Sequence, residues 1–126
     1  MADAPLAADG RLTAIVDFEF AGPDVRALDV ASGLYFSLRI WNGDDFWSRG
    51  QAFGRGYCRL AHLTDAERAA LPWLMRLRNV VSKIFWLGKS LAEGTTEKQV
   101  SDSGDLQGFN HWLAGSEGQV LSLFEG

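Results

Sequence analysis

Residues 64–94 read TDAERAALPWLMRLRNVVSKIFWLGKSLAEG, and this stretch decides the fold. Thr64 is followed three residues later by Glu67, which is the spacing of a helix capping box. Gly94 is typical of the residue that ends a helix, because glycine adopts the left-handed backbone conformation at no steric cost. The stretch therefore predicts helical structure from residue 65 to about residue 92.

Pro72 predicts an interruption in this stretch. Proline has no backbone N–H and clashes with the preceding turn, so we expect a short helix to end near Leu71 and a longer helix to cover 72–92. An apolar stripe on the longer helix is wide enough for a central helix that packs on several sides. The stripe consists of Trp73, Leu74, Leu77, Val80, Val81, Ile84, Phe85, Leu87, Gly88 and Leu91.

Further helices are predicted on both sides of this stretch. Asp24 is a candidate N-cap for a helix that runs to about Ile40, and a second helix is expected over 45–61. In the second helix we expect the large apolar side chains to point inward, namely Phe46, Phe53, Tyr57 and Leu60. Two short helices, Asp105–Ala114 and Glu117–Phe124, are expected to close the chain.

The N-terminal residues predict a small β-hairpin. Asp9-Gly10 is a strong turn signal, and the apolar residues 12–16 read as a short strand. The predicted fold is therefore mainly α with a small N-terminal β-hairpin. We expect a single domain over 1–126, with the hairpin in 1–20 and a helical subdomain in 24–124.

Composition excludes several classes of protein. The chain has 126 residues, of which 47% are hydrophobic and 22% charged, as in one ordinary globular domain. No apolar run is long enough to cross a membrane, and the N-terminus lacks the pattern of a signal peptide. The single cysteine, Cys58, cannot form an internal disulfide. We therefore expect a cytoplasmic protein without a membrane partner.

The charge is unevenly distributed along the chain. The net charge is −4 overall, but residues 1–48 carry −5, residues 49–89 carry +6 and residues 90–126 carry −5. The acidic pI of about 5.0 argues against a nucleic-acid partner. The basic middle is either solvated surface that packs beside the acidic ends or a local site for a phosphate-bearing ligand, and solvated surface is the commoner case.

Familiar catalytic and metal motifs do not fit. Gly88-Lys89-Ser90 resembles the end of a P-loop, but the required glycine five residues earlier is replaced by Lys83. His62 and His111 lie 49 residues apart without a second ligand nearby, so a zinc site is not expected.

One segment does point to a chemistry. Residues 12–23 read LTAIVDFEFAGP and residues 26–31 read RALDVA. An apolar strand here delivers Asp17 at its end, with Glu19 two residues later and Asp29 in the following helix. A carboxylate at a rigid strand end can bind a hard cation, although an aspartate at this position is more typical of a turn or cap.

This segment resembles the metal-binding segment of the aminoglycoside phosphotransferase, choline kinase and type II homoserine kinase superfamily. The shared pattern is an apolar strand, Asp-Phe-Glu or Asp-Phe-Gly, an aromatic residue, a Gly/Pro turn and Arg-x-x-Asp-x-Ala. It covers about twenty residues. The helical remainder is compatible with the C-terminal lobe of a protein-kinase-like fold but carries no motif of its own.

The resemblance implies a role for each matched residue. Asp17 would be the Mg²⁺ ligand at the terminal phosphates of ATP. Glu19 and Phe20 would face the substrate, a small-molecule alcohol such as homoserine, choline or an aminoglycoside. Asp29 would be a structural acidic anchor, buried at a helix start, that holds the backbone of the catalytic loop. No residue of this chain is assigned a catalytic role.

The resemblance also shows what the sequence lacks. Phosphoryl transfer requires a nucleotide cradle, a phosphate-binding lysine and a residue that positions the attacking hydroxyl. The chain contains no His-Gly-Asp loop and no glycine-rich nucleotide loop. We therefore expect the C-terminal part of a kinase, cut just after its catalytic loop, to be inactive alone and to form a homo-oligomer or bind a complementing chain.

Two alternatives stay open at this point. The chain could be a non-catalytic helical module, derived from a kinase, that serves binding or dimerisation. It could also be an unrelated helical domain in which Asp-Phe-Glu occurs by chance. The sequence thus leaves open whether this chain is itself an enzyme.

Overall fold

A computed structural model of the chain describes residues 7–14, 22–40, 44–94 and 106–125. These residues form four helices, which we number in chain order. They are α1 (Arg26–Ile40), α2 (Asp44–Cys58), α3 (Asp65–Glu93) and α4 (Leu106–Ser122). The prediction of a mainly helical protein is confirmed.

The predicted hairpin is only partly within the described residues. The Ala7 N–H donates to the Arg11 carbonyl at 2.8 Å, and the Gly10 N–H donates to the Ala7 carbonyl at 2.9 Å. Gly10 adopts a positive φ of 78°, a conformation that glycine allows readily. The turn at Asp9-Gly10 is therefore present. Of the predicted strand 12–16, residues 12–14 are described and form only an isolated bridge at Leu12, and residues 15 and 16 lie outside the described residues.

Helix α1 forms close to its predicted position. The Asp24 carboxylate accepts a hydrogen bond from the Val25 N–H at 2.6 Å, just before the helix begins at Arg26. One face of α1 is buried in the core, and its members recur at helical spacing: Ala27, Val30, Ala31, Leu34 and Tyr35.

Helix α2 is shorter than predicted, and this changes which side chains are buried. Phe46 is fully buried as expected, but Leu60 is 92% exposed. The helix ends at Cys58, so Leu60 lies in the turn that follows instead of on an inward stripe. Phe53 is also more exposed than predicted, although its ring lies against Gly33 of α1.

Helix α3 is one continuous helix of 29 residues, so the predicted break at Pro72 is wrong. A proline inside a helix costs about 3 kcal/mol. Burial of one leucine or methionine side chain stabilises the folded state by about 1.5–3 kcal/mol. Leu71 and Met75, close to Pro72, are both completely buried. Tertiary packing therefore outweighs the missing backbone hydrogen bond.

The two ends of α3 form as the sequence predicts. The Glu67 N–H donates to the Thr64 hydroxyl at 3.2 Å, and the Thr64 N–H donates to the Glu67 carboxylate at 2.7 Å. Both halves of the capping box are thus present. Gly94 ends the helix with a φ of 82°.

Helix α4 is also continuous, whereas the sequence predicts two short helices. Gly115 and Gly118 weaken the helical propensity of its middle. Leu113 and Val120 are both completely buried on either side of these glycines. Their burial keeps α4 continuous through the region of low helical propensity.

The core lies where α3 packs along α1 and α4. The face of α3 that enters it carries Leu71, Pro72, Met75, Asn79 and Ser82. An aromatic group closes the core beside α2 and α4, and its members are Phe46, Trp47, Phe109 and Trp112.

The opposite face of α3 is exposed, so the prediction of a helix packed on several sides is wrong for the described residues. Trp73 is 69% exposed, Ile84 65% and Leu91 64%. The apolar stripe that the sequence singled out is therefore mostly an outer surface. None of the described helices is long and apolar enough to cross a membrane.

Candidate functional site

Three of the four residues that the sequence analysis singled out lie outside the described residues. They are Asp17, Glu19 and Phe20, for which the roles stay predictions. The second half of the motif, residues 26–31, is described and forms the first turns of α1.

The apolar members of this second half fix α1 in the core. Ala27, Val30 and Ala31 are each at most 2% exposed. Because they are three and four residues apart, they lie on one side of the helix, and Arg26 and Asp29 lie on another side. The motif thus combines a packing face with a polar face.

Asp29 lies in the first turn of α1, as the resemblance implies for a helix start. Its side chain is exposed, whereas the resemblance implies a buried anchor. A carboxylate in the first turn interacts favourably with the positive end of the helix dipole, which stabilises α1 without any further partner. The predicted role of Asp29 as an anchor for another loop is not tested by the described residues.

Arg26 makes the principal polar contact of the motif, a contact that no local sequence pattern predicts. Its Nε donates to Glu67 Oε1 at 3.1 Å, and its Nη2 donates to Glu67 Oε2 at 2.7 Å. Such a two-point contact between a guanidinium and a carboxylate fixes orientation as well as distance. The partners are 41 residues apart, so no local spacing signals them.

Glu67 has a second set of contacts in the same place. Its Oε2 accepts hydrogen bonds from the Thr64 N–H at 2.7 Å and from the Thr64 hydroxyl at 2.9 Å. The hydrogen bonds from Arg26 and Thr64 lower the pKa of Glu67 to about 2. The same contact raises the pKa of Arg26 above its usual value. One carboxylate therefore joins the start of α1 to the start of α3.

A shallow depression of about 260 Å³ lies between α2 and the end of the chain. Its walls include Arg55 and Arg59 from the basic middle of the sequence, together with His62. Glu125 lies in the same wall and would repel an anion. Since both arginines are exposed, the depression fits the interpretation of the basic middle as solvated surface.

No group of three or more histidine, cysteine, aspartate or glutamate side chains that could hold a metal ion occurs among the described residues. His62 and His111 are both exposed and lie on different elements. The described part of the chain therefore does not by itself fit a magnesium–nucleotide complex, which needs carboxylates and phosphate-binding groups together.

Comparison with known proteins identifies relatives of this chain. The homoserine kinase of Granulibacter bethesdensis is 35% identical over 102 residues, which cover 75% of this chain. The homoserine kinase of Gluconacetobacter diazotrophicus is 41% identical over 102 residues, and that of Xanthobacter autotrophicus is 37% identical over 87 residues. The chain is related to a segment of the homoserine kinases.

This relationship confirms the resemblance to the homoserine kinase and aminoglycoside phosphotransferase superfamily, and it removes the alternative of an unrelated helical domain. The chain spans about a third of the length of these homoserine kinases, 31% for the first and 30% for the second. No family model matches the chain, and no solved structure matches it significantly.

Proposed function

We propose that this chain is the C-terminal portion of an ATP-dependent small-molecule phosphotransferase. The whole enzyme would transfer the γ-phosphate of Mg-ATP to a substrate hydroxyl. The observation that carries the proposal is the identity of 35–41% with proteins named homoserine kinase over 75% of this chain. Homoserine is therefore the first substrate to test, ahead of choline or an aminoglycoside.

In this proposal the residues of the motif have different tasks. Asp17 binds Mg²⁺, which neutralises charge on the transferred phosphate when it is present. Glu19 and Phe20 face the substrate alcohol, and Asp29 anchors a loop of the catalytic apparatus. Residues 26–31, the second half of the motif, lie in α1. Ala27, Val30 and Ala31 are buried there and fix the position of this part of the motif.

We propose further that the 126-residue chain is inactive by itself. Its sequence contains no His-Gly-Asp loop and no glycine-rich nucleotide loop. A single carboxylate binds Mg²⁺ weakly, because this ion keeps most of its water and relies on substrate phosphates. Activity would thus require a complementing chain that supplies the remaining groups, in the cytoplasm where ATP is available. A homo-oligomer would cover exposed apolar surface but would not supply them, because every copy lacks the same loops.

A chimeric enzyme tests this proposal. The segment of the Granulibacter bethesdensis homoserine kinase that aligns with this chain would be replaced by residues 1–126. We expect homoserine-dependent release of ADP from the chimera and only background release from the 126-residue chain. A folded chimera without turnover would contradict the phosphotransferase proposal, and turnover by the isolated chain would contradict its inactivity.

One observation favours a second candidate, a non-catalytic module derived from a kinase that serves binding or dimerisation. The exposed apolar face of α3, which includes Trp73 and Ile84, is larger than a chain of this size usually leaves in water. An inactive but folded chimera, together with tight association of the chain, would favour this candidate.

A further inference from the structure

The outer face of α3 has a regular apolar spacing. Trp73, Leu77, Val80, Ile84, Leu87 and Leu91 follow one another at intervals of four and three residues in alternation. We call these six residues the outer seam. The alternation is the a/d pattern of a helix that packs lengthwise against one other helix. Five of the six are exposed, and Leu87 is half-buried.

The core of the chain does not use this seam. The residues of α3 that are buried, such as Met75 and Asn79, lie on the opposite side of the helix and pack towards α1 and α4. Val81 and Phe85 are exposed along one edge of the seam and widen it. Helix α3 therefore carries two apolar faces, of which the described residues cover one.

We propose that the outer seam packs against the outer seam of a second copy of this chain in a two-fold symmetric dimer. A seam with the a/d pattern is self-complementary, because the side chains of one copy fit between those of the other. The interface would be isologous, with the same six residues contributed by each copy. This dimer does not depend on the phosphotransferase proposal.

The area of the seam is close to what such a dimer needs. The exposed seam residues together with Val81 and Phe85 at its edge are 37–69% exposed, which leaves on the order of 700 Å² open per copy. A stable interface buries about 800 Å² per partner, whereas the largest apolar patch of a typical monomer is about 300–600 Å². A second copy would thus cover the patch almost completely.

One polar group beside the seam, the Arg76 guanidinium, is paired within the chain through its Nη2, although its buried Nη1 has no hydrogen-bond partner among the described residues. Arg76 borders the seam, and its Nη2 donates a hydrogen bond to Glu117 of α4. Its guanidinium also lies 4.7 Å from the centre of the Trp73 ring. The charge of Arg76 is therefore compensated, and the Trp73 ring is held in position before a second copy arrives, which lowers the entropic cost of association.

Sedimentation equilibrium of the full chain and two variants tests the proposal. We expect the wild-type chain to be a dimer, and Ile84→Glu to raise the dissociation constant at least thirtyfold, as about 2 kcal/mol at an interface centre would do. The matched control is Trp86→Glu, because Trp86 is similarly exposed but lies on the opposite side of α3. This control should leave the dissociation constant within about threefold of the wild type.

Oxidative cross-linking gives an independent test that does not need a charged residue in the seam. In a Cys58→Ser background, Ile84→Cys should form a disulfide-linked dimer, since Ile84 lies near the middle of the seam, whereas Trp86→Cys should not. A wild-type chain that stays monomeric at about 100 µM would overturn the proposal. The outer seam would then bind a different protein. An unchanged dissociation constant in Ile84→Glu, or equal cross-linking of both cysteine variants, would overturn it as well.

Discussion

The guanidinium of Arg26 donates two hydrogen bonds to the carboxylate of Glu67, the same carboxylate that closes the capping box with Thr64. The arginine of the kinase-like motif therefore ties α1 to the first turn of the longest helix. Since Ala27 and Val30 pack into the core from the same turns, the motif has a structural task that the described residues explain on their own.

The first prediction concerns the pH dependence of stability. The pKa of Glu67 is lowered to about 2 in the folded chain, whereas an unfolded glutamate titrates near 4.3. Because the folded pKa is depressed, the ionised carboxylate stabilises the fold above about pH 4.3, and this contribution is lost as the pH falls towards 2. Glu67→Gln should melt below the wild type at pH 7, measured by circular dichroism.

The difference between the two melting temperatures should shrink as the pH is lowered from 5 to 2.5, because the unfolded wild-type chain then binds a proton at Glu67 whereas the folded chain does so only near pH 2. Asp45→Asn serves as the control, since Asp45 is exposed at the start of α2 and makes neither of these contacts. A melting difference that stays constant over this pH range would show that the ionised Glu67 does not contribute.

A second prediction concerns the close approach of α2 to the end of the chain. A Cβ atom added at Gly54 would lie 1.9 Å from the Leu123 carbonyl oxygen, which is backbone and cannot rotate away. Gly54→Ala should therefore destabilise the chain by at least about 2 kcal/mol in urea unfolding. Gly56→Ala is the matched control two residues later in the same helix, where an added Cβ meets nothing within 4 Å.

Gly56→Ala should stabilise the chain by up to about 1 kcal/mol, because alanine favours the helix more than glycine does. Equal effects of the two substitutions would mean that α2 and Leu123 are not in close contact.

A third prediction concerns the buried hydrogen bond between α1 and α3. The Tyr35 hydroxyl donates to the Asn79 side-chain oxygen at 3.1 Å, and both residues are 2% exposed. Tyr35→Phe leaves that oxygen buried without its donor, so it should cost about 1–3 kcal/mol. The double variant Tyr35→Phe/Asn79→Leu removes both polar partners and should recover most of this loss. If the double variant does not recover stability, the loss in Tyr35→Phe comes from altered packing and not from the missing hydrogen bond.

Local signals in the sequence predicted the two ends of α3 well. Thr64 and Glu67 form their capping box, and Gly94 ends α3 with the left-handed backbone that the sequence indicated. These features depend on residues within one turn of each other, so the sequence contains all the information they need.

Features that depend on tertiary packing were not predictable in the same way. Pro72 predicts a break, but burial of its neighbours keeps α3 continuous. The widest apolar stripe of α3 is exposed, because the core instead uses the face that includes Met75 and the polar Asn79. The Arg26–Glu67 contact was missed because its partners are distant in sequence, and the roles of Asp17, Glu19 and Phe20 stay predictions.

We propose that Asp17 binds the magnesium of a small-molecule kinase, and the turnover number of the chimeric homoserine kinase tests this proposal most directly. Asp17→Asn should lower kcat by at least a hundredfold, as loss of a group that holds charge in the transition state does, while Asp45→Asn should leave kcat within about twofold. Equal turnover of the wild-type and Asp17→Asn chimeras would contradict the claim.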